Sequence, residues 1–209
     1  MIVIGIAWAL LGSSVLVVRH IKVTGNGQIP ASRVRAASGI QQGTPLLRLD
    51  GSAASRRVER INRVLSARVS RSWPDTVVIT IRVRTPSLVV AQAGAFELVD
   101  GDGVVLRTVG SRPSGLPLLR PAPLRLRGNP AVHAAARVLA ELPGPVRQRV
   151  LAVTAKAADA VTLHLRGRIT VRWGGTERAA AKAKELRALL HTHARYYDVS
   201  SPTEAVTAG

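Results

Sequence analysis

Residues 68–83 read RVSRSWPDTVVITIRV, and the order of side chains in this stretch decides the fold. Val77, Ile79, Ile81 and Val83 alternate with Val78, Thr80, Arg82 and Arg84. That period of two belongs to a strand with one buried side. Pro74-Asp75 supplies a turn, and Ala67 to Trp73 reads as the strand before it, so the segment is a hairpin. Working back, Ile21 to Val23 opens as a strand and stops at Thr24-Gly25-Asn26-Gly27, whose glycines lack the spacing of a dinucleotide fingerprint. Pro30 starts a short helix with Val34 inward and Gly39 as its stop. Gly43-Thr44-Pro45 breaks the chain ahead of Leu46, Leu47 and Leu49. Asp50 or Ser52 caps a second helix, expected to run to about Leu65 with Val58, Ile61 and Leu65 on one face. Residues 21–84 therefore read β-α-α-β-β, with helices over one side of a small sheet.

Thr85-Pro86 marks the boundary to a second region. Leu88 to Gln92 and Ala95 to Val99 form a hairpin, and Asp100-Gly101-Asp102-Gly103 turns the chain into Val104 to Leu106. The Asp-x-Asp-Gly run lacks the further oxygen ligands of a calcium loop, with Ser111 where the twelfth-position Glu would stand. Residues 110–130, rich in Pro, Gly and Arg, read as a long mobile connection. Asn129-Pro130 starts a helix with Val132, Ala135, Ala136, Leu139 and Leu142 on its apolar face, ended by Pro143-Gly144-Pro145. Val150 to Thr154, Val161 to Arg166 and Ile169 to Trp173 make an antiparallel meander. A helix over about 176–194, a short strand at Tyr196 to Val199 and a tail complete the chain.

At the other end, residues 1–18 (MIVIGIAWALLGSSVLVV) carry no charged side chain. As a helix at about 1.5 Å per residue this run approaches the ~30 Å hydrocarbon core of a bilayer. A cleaved signal peptide is the competing reading, but the start is uncharged and no clean A-x-A follows. Arg19, His20 and Lys22 lie C-terminal to the run, the side that the positive-inside rule assigns to the cytoplasm. Either a basic tail precedes this sequence or the body is cytoplasmic.

Composition narrows the function. Thirty Lys+Arg against twelve Asp+Glu give +18, which attracts anionic polymers and lipid headgroups. The basic residues are dispersed and only six aromatics are present, a poor fit to nucleic acid. The absence of cysteine excludes disulfides, thiolate zinc sites and thiol catalysis. Of the histidines (His20, His133, His164, His191, His193), His191 and His193 are two apart on a helix, whereas a helical metal pair needs four. No nucleophile elbow and no Walker loop occurs. The expectation is no enzyme, no cofactor, no metal and no small-molecule substrate.

Five segments in order resemble the FtsQ/DivIB family of bacterial division proteins: Ile21-Lys22-Val23-Thr24-Gly25-Asn26, GIQQGTPLLRLD at 39–50, the hairpin at 68–83, FELVDGDGVV at 96–105, and Leu116-Pro117-Leu118-Leu119. Arg84-Thr85-Pro86 stands where the family usually has an acidic residue before its Arg-x-Pro. The resemblance implies an α+β protein: a transmembrane helix at 1–18, a POTRA domain at 21–84, a mostly antiparallel β domain with flanking helices at 85–200, and a tail at 201–209. It implies a single-pass membrane protein at the division septum, N-terminus cytoplasmic and body outside, acting as an essential scaffold that binds partners resembling FtsB and FtsL. The matching docking positions are Tyr197, Asp198, Val199, Ser200, Ser201, Thr203, Ala205 and Val206. An exposed sheet edge there would accept an added strand through its unpaired backbone groups. The alternative is a membrane-anchored binder of anionic wall polymer or lipid headgroups.

Overall fold

The computed structural model describes residues 16–201 and the backbone of 206–208, which divide into two compact units on either side of Arg84 and Thr85. In the first unit, β1 (His20–Thr24) is followed by α1 (Ala31–Ser38), a 3-10 turn at Leu46–Arg48, α2 (Gly51–Glu59), β2 (Val64–Ser72) and β3 (Thr76–Val83). The sheet order is β1-β3-β2. β1 runs parallel to β3, from His20 opposite Thr76 to Thr24 opposite Thr80, and β2 and β3 form the antiparallel hairpin. The local signals act as their chemistry requires. Gly39 takes φ 64° at the end of α1, a left-handed conformation that glycine adopts without a Cβ clash, and Asp50 Oδ1 accepts the Ala53 N–H at 2.9 Å to cap α2. Val77, Ile79 and Ile81 are fully or almost fully buried with Val34, Leu46 and Val58. Each such side chain stabilises the fold by about 1.5–3 kcal/mol relative to exposure.

Two expectations change here. α2 stops at Glu59 rather than near Leu65, because Val64 opens β2 opposite Val83 and Leu65 is left 40% exposed. A non-local strand pairing overrides the local helical spacing. The apolar run at 1–18 also does not end outside the folded unit. Val18 is fully buried in the first core, its N–H donates to Thr44 O at 2.9 Å, and the Leu46 N–H donates to Leu16 O at 2.9 Å. The remainder of that run, residues 1–15, lies outside the described residues. Among the described residues no helix is long and apolar enough to cross a membrane.

The second unit contains β4 (Leu88–Gln92), β5 (Ala95–Val99), β6 (Val105–Val109), β7 (Leu118–Arg120), α3 (Pro130–Glu141), α4 (Gly144–Arg147), β8 (Val150–Ala155), β9 (Val161–Leu165), β10 (Ile169–Gly174), α5 (Ala179–Leu189), a 3-10 turn at Leu190–Thr192, β11 (Tyr196–Asp198) and β12 (Val206–Ala208). Nine strands form one sheet in the order β12-β11-β10-β9-β8-β7-β4-β5-β6. Its core joins Val132, Ala135, Val138 and Leu139 of α3 to Val153, Leu163, Val171 and Trp173 of the sheet and Leu186 of α5. The turn at 100–103 is fixed by the Asp100 carboxylate, which accepts the N–H groups of Asp102 and Val104 at 3.0 and 2.8 Å.

The stretch read as a mobile connection instead contributes β7, which pairs in parallel with β4 at Val89–Leu118 and with β8 from Leu118–Ala152 to Arg120–Thr154. Three residues between prolines carry too little periodicity to show themselves. The last helix is also shorter than expected. Arg178 sits at φ 54°, so α5 begins only at Ala179.

Candidate docking site at the C-terminal sheet edge

The end of the large sheet is built outward from β10. β10 lies antiparallel to β9 and parallel to β11, with Thr170 opposite Tyr196, Val171 opposite Tyr197 and Arg172 opposite Asp198. The Thr170 N–H donates to Arg195 O at 2.8 Å, and the Val199 N–H donates to Arg172 O at 2.9 Å. Backbone groups of successive strand residues point to opposite sides. Residues 195, 197 and 199 therefore face β10, while Tyr196 and Asp198 turn theirs away, toward β12.

β12 lies antiparallel to β11, with Tyr196 opposite Ala208, Tyr197 opposite Thr207 and Asp198 opposite Val206. Because the outward groups of β11 belong to Tyr196 and Asp198, the pairs 196–208 and 198–206 are the hydrogen-bonded ones. Thr207 then presents its own N–H and C=O on the far side, at the outer margin of the sheet.

The side chains divide between two faces. Tyr197 and Val199 are fully buried in the core with Trp173 and Leu186. Lys182, only 2% exposed, reaches in from α5 and donates to Trp173 O at 3.1 Å and Gly175 O at 3.0 Å. Burial pushes its pKa down. On the opposite face, Asp198 accepts the Ser200 N–H at 2.9 Å and the Ser200 hydroxyl at 2.6 Å, with Arg172 Nη1 at 3.4 Å. Burial alone would raise the Asp198 pKa, but the two Ser200 hydrogen bonds and the Arg172 charge together hold it below the ordinary value. Gly174, at φ 75°, allows the approach. A Cβ there would lie 2.9 Å from Ser200 Cβ.

Alongside runs a cleft of about 370 Å³ whose lining includes Thr154, Lys156, Asp159, His164, Arg172 and Ser200. His164 Nε2 is 2.8 Å from Thr154 Oγ1, and burial, then the Arg120 charge, lower its pKa. Among the described residues no three His, Cys, Asp or Glu side chains are grouped to hold a metal ion.

The docking positions taken from the sequence thus separate. Tyr197 and Val199 are core side chains and offer a partner no side-chain contact; the Val199 N–H is bonded to Arg172 O and Tyr197 pairs opposite Val171 of β10. Asp198 and Ser200 bond to each other, and Ser201 is exposed. Val206 lies in β12, while Thr203 and Ala205 fall outside the described residues. Sequence reasoning missed Arg172 and Thr207. Arg172 was legible from its place between the inward Val171 and Trp173. For Thr207 the only signal was the adjacent β-branched pair Val206-Thr207 in a stretch read as tail.

A family described as POTRA domain, FtsQ-type, matches residues 16–83, and one described as cell division protein FtsQ/DivIB, C-terminal, matches residues 88–201. The chain belongs to the FtsQ/DivIB family of cell-division proteins. It is 40% identical over 209 residues to "Cell division protein FtsQ" of Streptomyces bingchenggensis, covering 95% of this chain and 78% of the relative. The protein of the same name from Streptomyces collinus is 35% identical, covering 98% and 83%. That of Mycobacteroides abscessus is 38% identical, covering 97% and 64%. A solved extracytoplasmic domain of DivIB from Geobacillus stearothermophilus aligns with 53% of this chain and 93% of its own at 20% identity and a TM-score of 0.39, a likeness too loose to add to the assignment. The FtsQ-type POTRA match includes Leu16 and Val18, both hydrogen-bonded within the first unit.

Proposed function

We propose that this FtsQ/DivIB chain is a catalytically silent docking protein of the division apparatus, held to the cell membrane by its N-terminal apolar run. Its two units stand outside the cytoplasm at the septum and recruit other division proteins there. The partners are short membrane proteins resembling FtsB and FtsL, and the edge formed by β10, β11 and β12 receives one of them as an added strand.

The observation that carries this reading is the state of the outer margin. β11 is covered by a strand of three residues, and the N–H and C=O of Thr207 point away from the sheet. An extended segment laid beside β12 gains backbone hydrogen bonds without rearranging the core, and Tyr197 and Val199 serve as the floor that holds the edge in place. The +18 charge favours acidic partner segments through long-range attraction.

The test is capture of co-expressed partners by the full chain and by a chain stopped after Ser201. The full chain retains them and the shortened chain, still folded, does not. Equal capture by both removes β12 from the docking site. In cells, depletion of the full chain leaves septa unfinished, and normal division after depletion contradicts the role.

A further inference from the structure

The first unit has one end at which its loops, its exposed apolar side chains and the start of the described chain meet. Leu16 and Val18 bond to the Gly43–Leu46 loop, and the N–H groups of Arg19 and His20 both donate to Asp75 O, in the β2–β3 turn. Arg71 ties the same turn to the loop, donating through Nε to Leu46 O and through Nη2 to Leu49 O, each at 2.6 Å. From this end project Leu47, 49% exposed, and Trp73, 53% exposed, two of the few large apolar side chains outside both cores. Around them lie Arg19, Arg48 and Arg71, all exposed, against Asp75, whose carboxylate is 3.8 Å from His20 Nε2, and the α2 cap Asp50.

Connectivity places this end next to the apolar run. Residues 1–15 carry no charged side chain, and Leu16 is already hydrogen-bonded inside the first unit. Only the short stretch Gly12-Ser13-Ser14, without a charged residue, lies between the apolar residues 1–11 and Val15-Leu16. We propose that this end of the first unit is a lipid-docking surface: Leu47 and Trp73 enter the headgroup region and Arg48, next to Leu47 in the chain, pairs with anionic lipid phosphates. The inference rests on the reading of the apolar run as a membrane anchor. Given that reading, a unit joined to its anchor by so short a stretch lies at the interface, where tryptophan is the preferred aromatic and each basic side chain near an anionic leaflet adds attraction. The consequence is a first unit held at a set tilt on the bilayer rather than swinging on a tether.

The chain has no cysteine, so single labels are clean. Full-length protein is placed in nanodiscs of phosphatidylcholine with phosphatidylglycerol, carrying an environment-sensitive fluorophore on Ala7→Cys, Leu47→Cys or Leu124→Cys. Leu124 is fully exposed in the second unit and serves as the water reference. The expected result is an apolar signal at Ala7→Cys, an interfacial signal at Leu47→Cys and an aqueous one at Leu124→Cys. Adding Trp73→Ser returns Leu47→Cys toward water, and adding Arg48→Gln lowers its docked-to-undocked ratio about fivefold. An apolar Ala7→Cys with an aqueous Leu47→Cys overturns the docking surface and leaves the anchor standing. An aqueous Ala7→Cys overturns both. An unchanged Leu47→Cys signal in pure phosphatidylcholine overturns the role of anionic headgroups.

Discussion

Proline at Thr207 separates edge docking from every reading in which the C-terminal segment acts through its side chains. Thr207 lies opposite Tyr197 in the non-hydrogen-bonded position of the β11–β12 pair, so its N–H points outward. Proline deletes that donor, and edge strands are where it is tolerated. The net worth of one such bond is about 0.5–1.5 kcal/mol, so affinity for the partner ectodomain falls about 2- to 12-fold. Thr207→Ala retains the backbone donor and binds as the parent does. Proline at Val199 is the internal contrast. The Val199 N–H is bonded to Arg172 O at 2.9 Å, so that substitution breaks the sheet itself and lowers the melting temperature. Titration calorimetry with the purified partner ectodomain, together with melting curves, measures all three. If Thr207→Pro binds with parental affinity while melting normally, the outward backbone of β12 is not where the partner pairs, and the reasoning from strand alternation fails.

Two further outcomes follow from the same geometry. Val18→Ala removes about two buried carbons from the first core, costing about 2 kcal/mol with its cavity, and moves the denaturant midpoint of the full chain downward; an unmoved midpoint would place Val18 in lipid rather than in the fold. Asp198, whose folded pKa is held below the ordinary carboxylate value, contributes stability that is present above that ordinary value and lost as pH falls through the lower folded pKa. Acid unfolding of the parent below about pH 4 therefore includes a step that Asp198→Asn lacks, read by circular dichroism against pH; identical acid profiles for the two would show that the Ser200 bonds and the Arg172 charge leave the carboxylate unperturbed.

The first unit was largely legible because its signals are local and agree with one another. Gly39 can only stop a helix where it stands, Asp50 finds a free N–H three residues on, and Val77-x-Ile79-x-Ile81 permits one face to be buried. The end of α2 was not legible, since Leu65 fits the helical stripe and only the pairing of Val64 with Val83 pulls it into β2. β7 and β12 escaped for a related reason. Each has three residues, and each exists because a neighbouring strand offers it a ladder, not because its own sequence demands extension. At the C-terminal sheet edge, the family resemblance named a segment but not the division of labour within it. Which of Tyr197, Asp198 and Val199 faces the core depends on the register with Val171 and Arg172, a relation between residues 26 apart in the chain. Val18 shows the same limit at the other end. Its side chain suits lipid and protein core equally, and only the bonds to Thr44 and Gly43 decide between them.

Residue-resolved amide exchange, measured on the chain alone and with its partner bound, tests edge docking most directly. In the free chain the Thr207 amide exchanges quickly while those of Tyr196 and Asp198, already paired with β12, are slower. On binding, Thr207 gains protection and the other two keep theirs. A Thr207 amide that stays fast in the saturated complex, or loss of protection at Tyr196 and Asp198, contradicts an added strand at this margin.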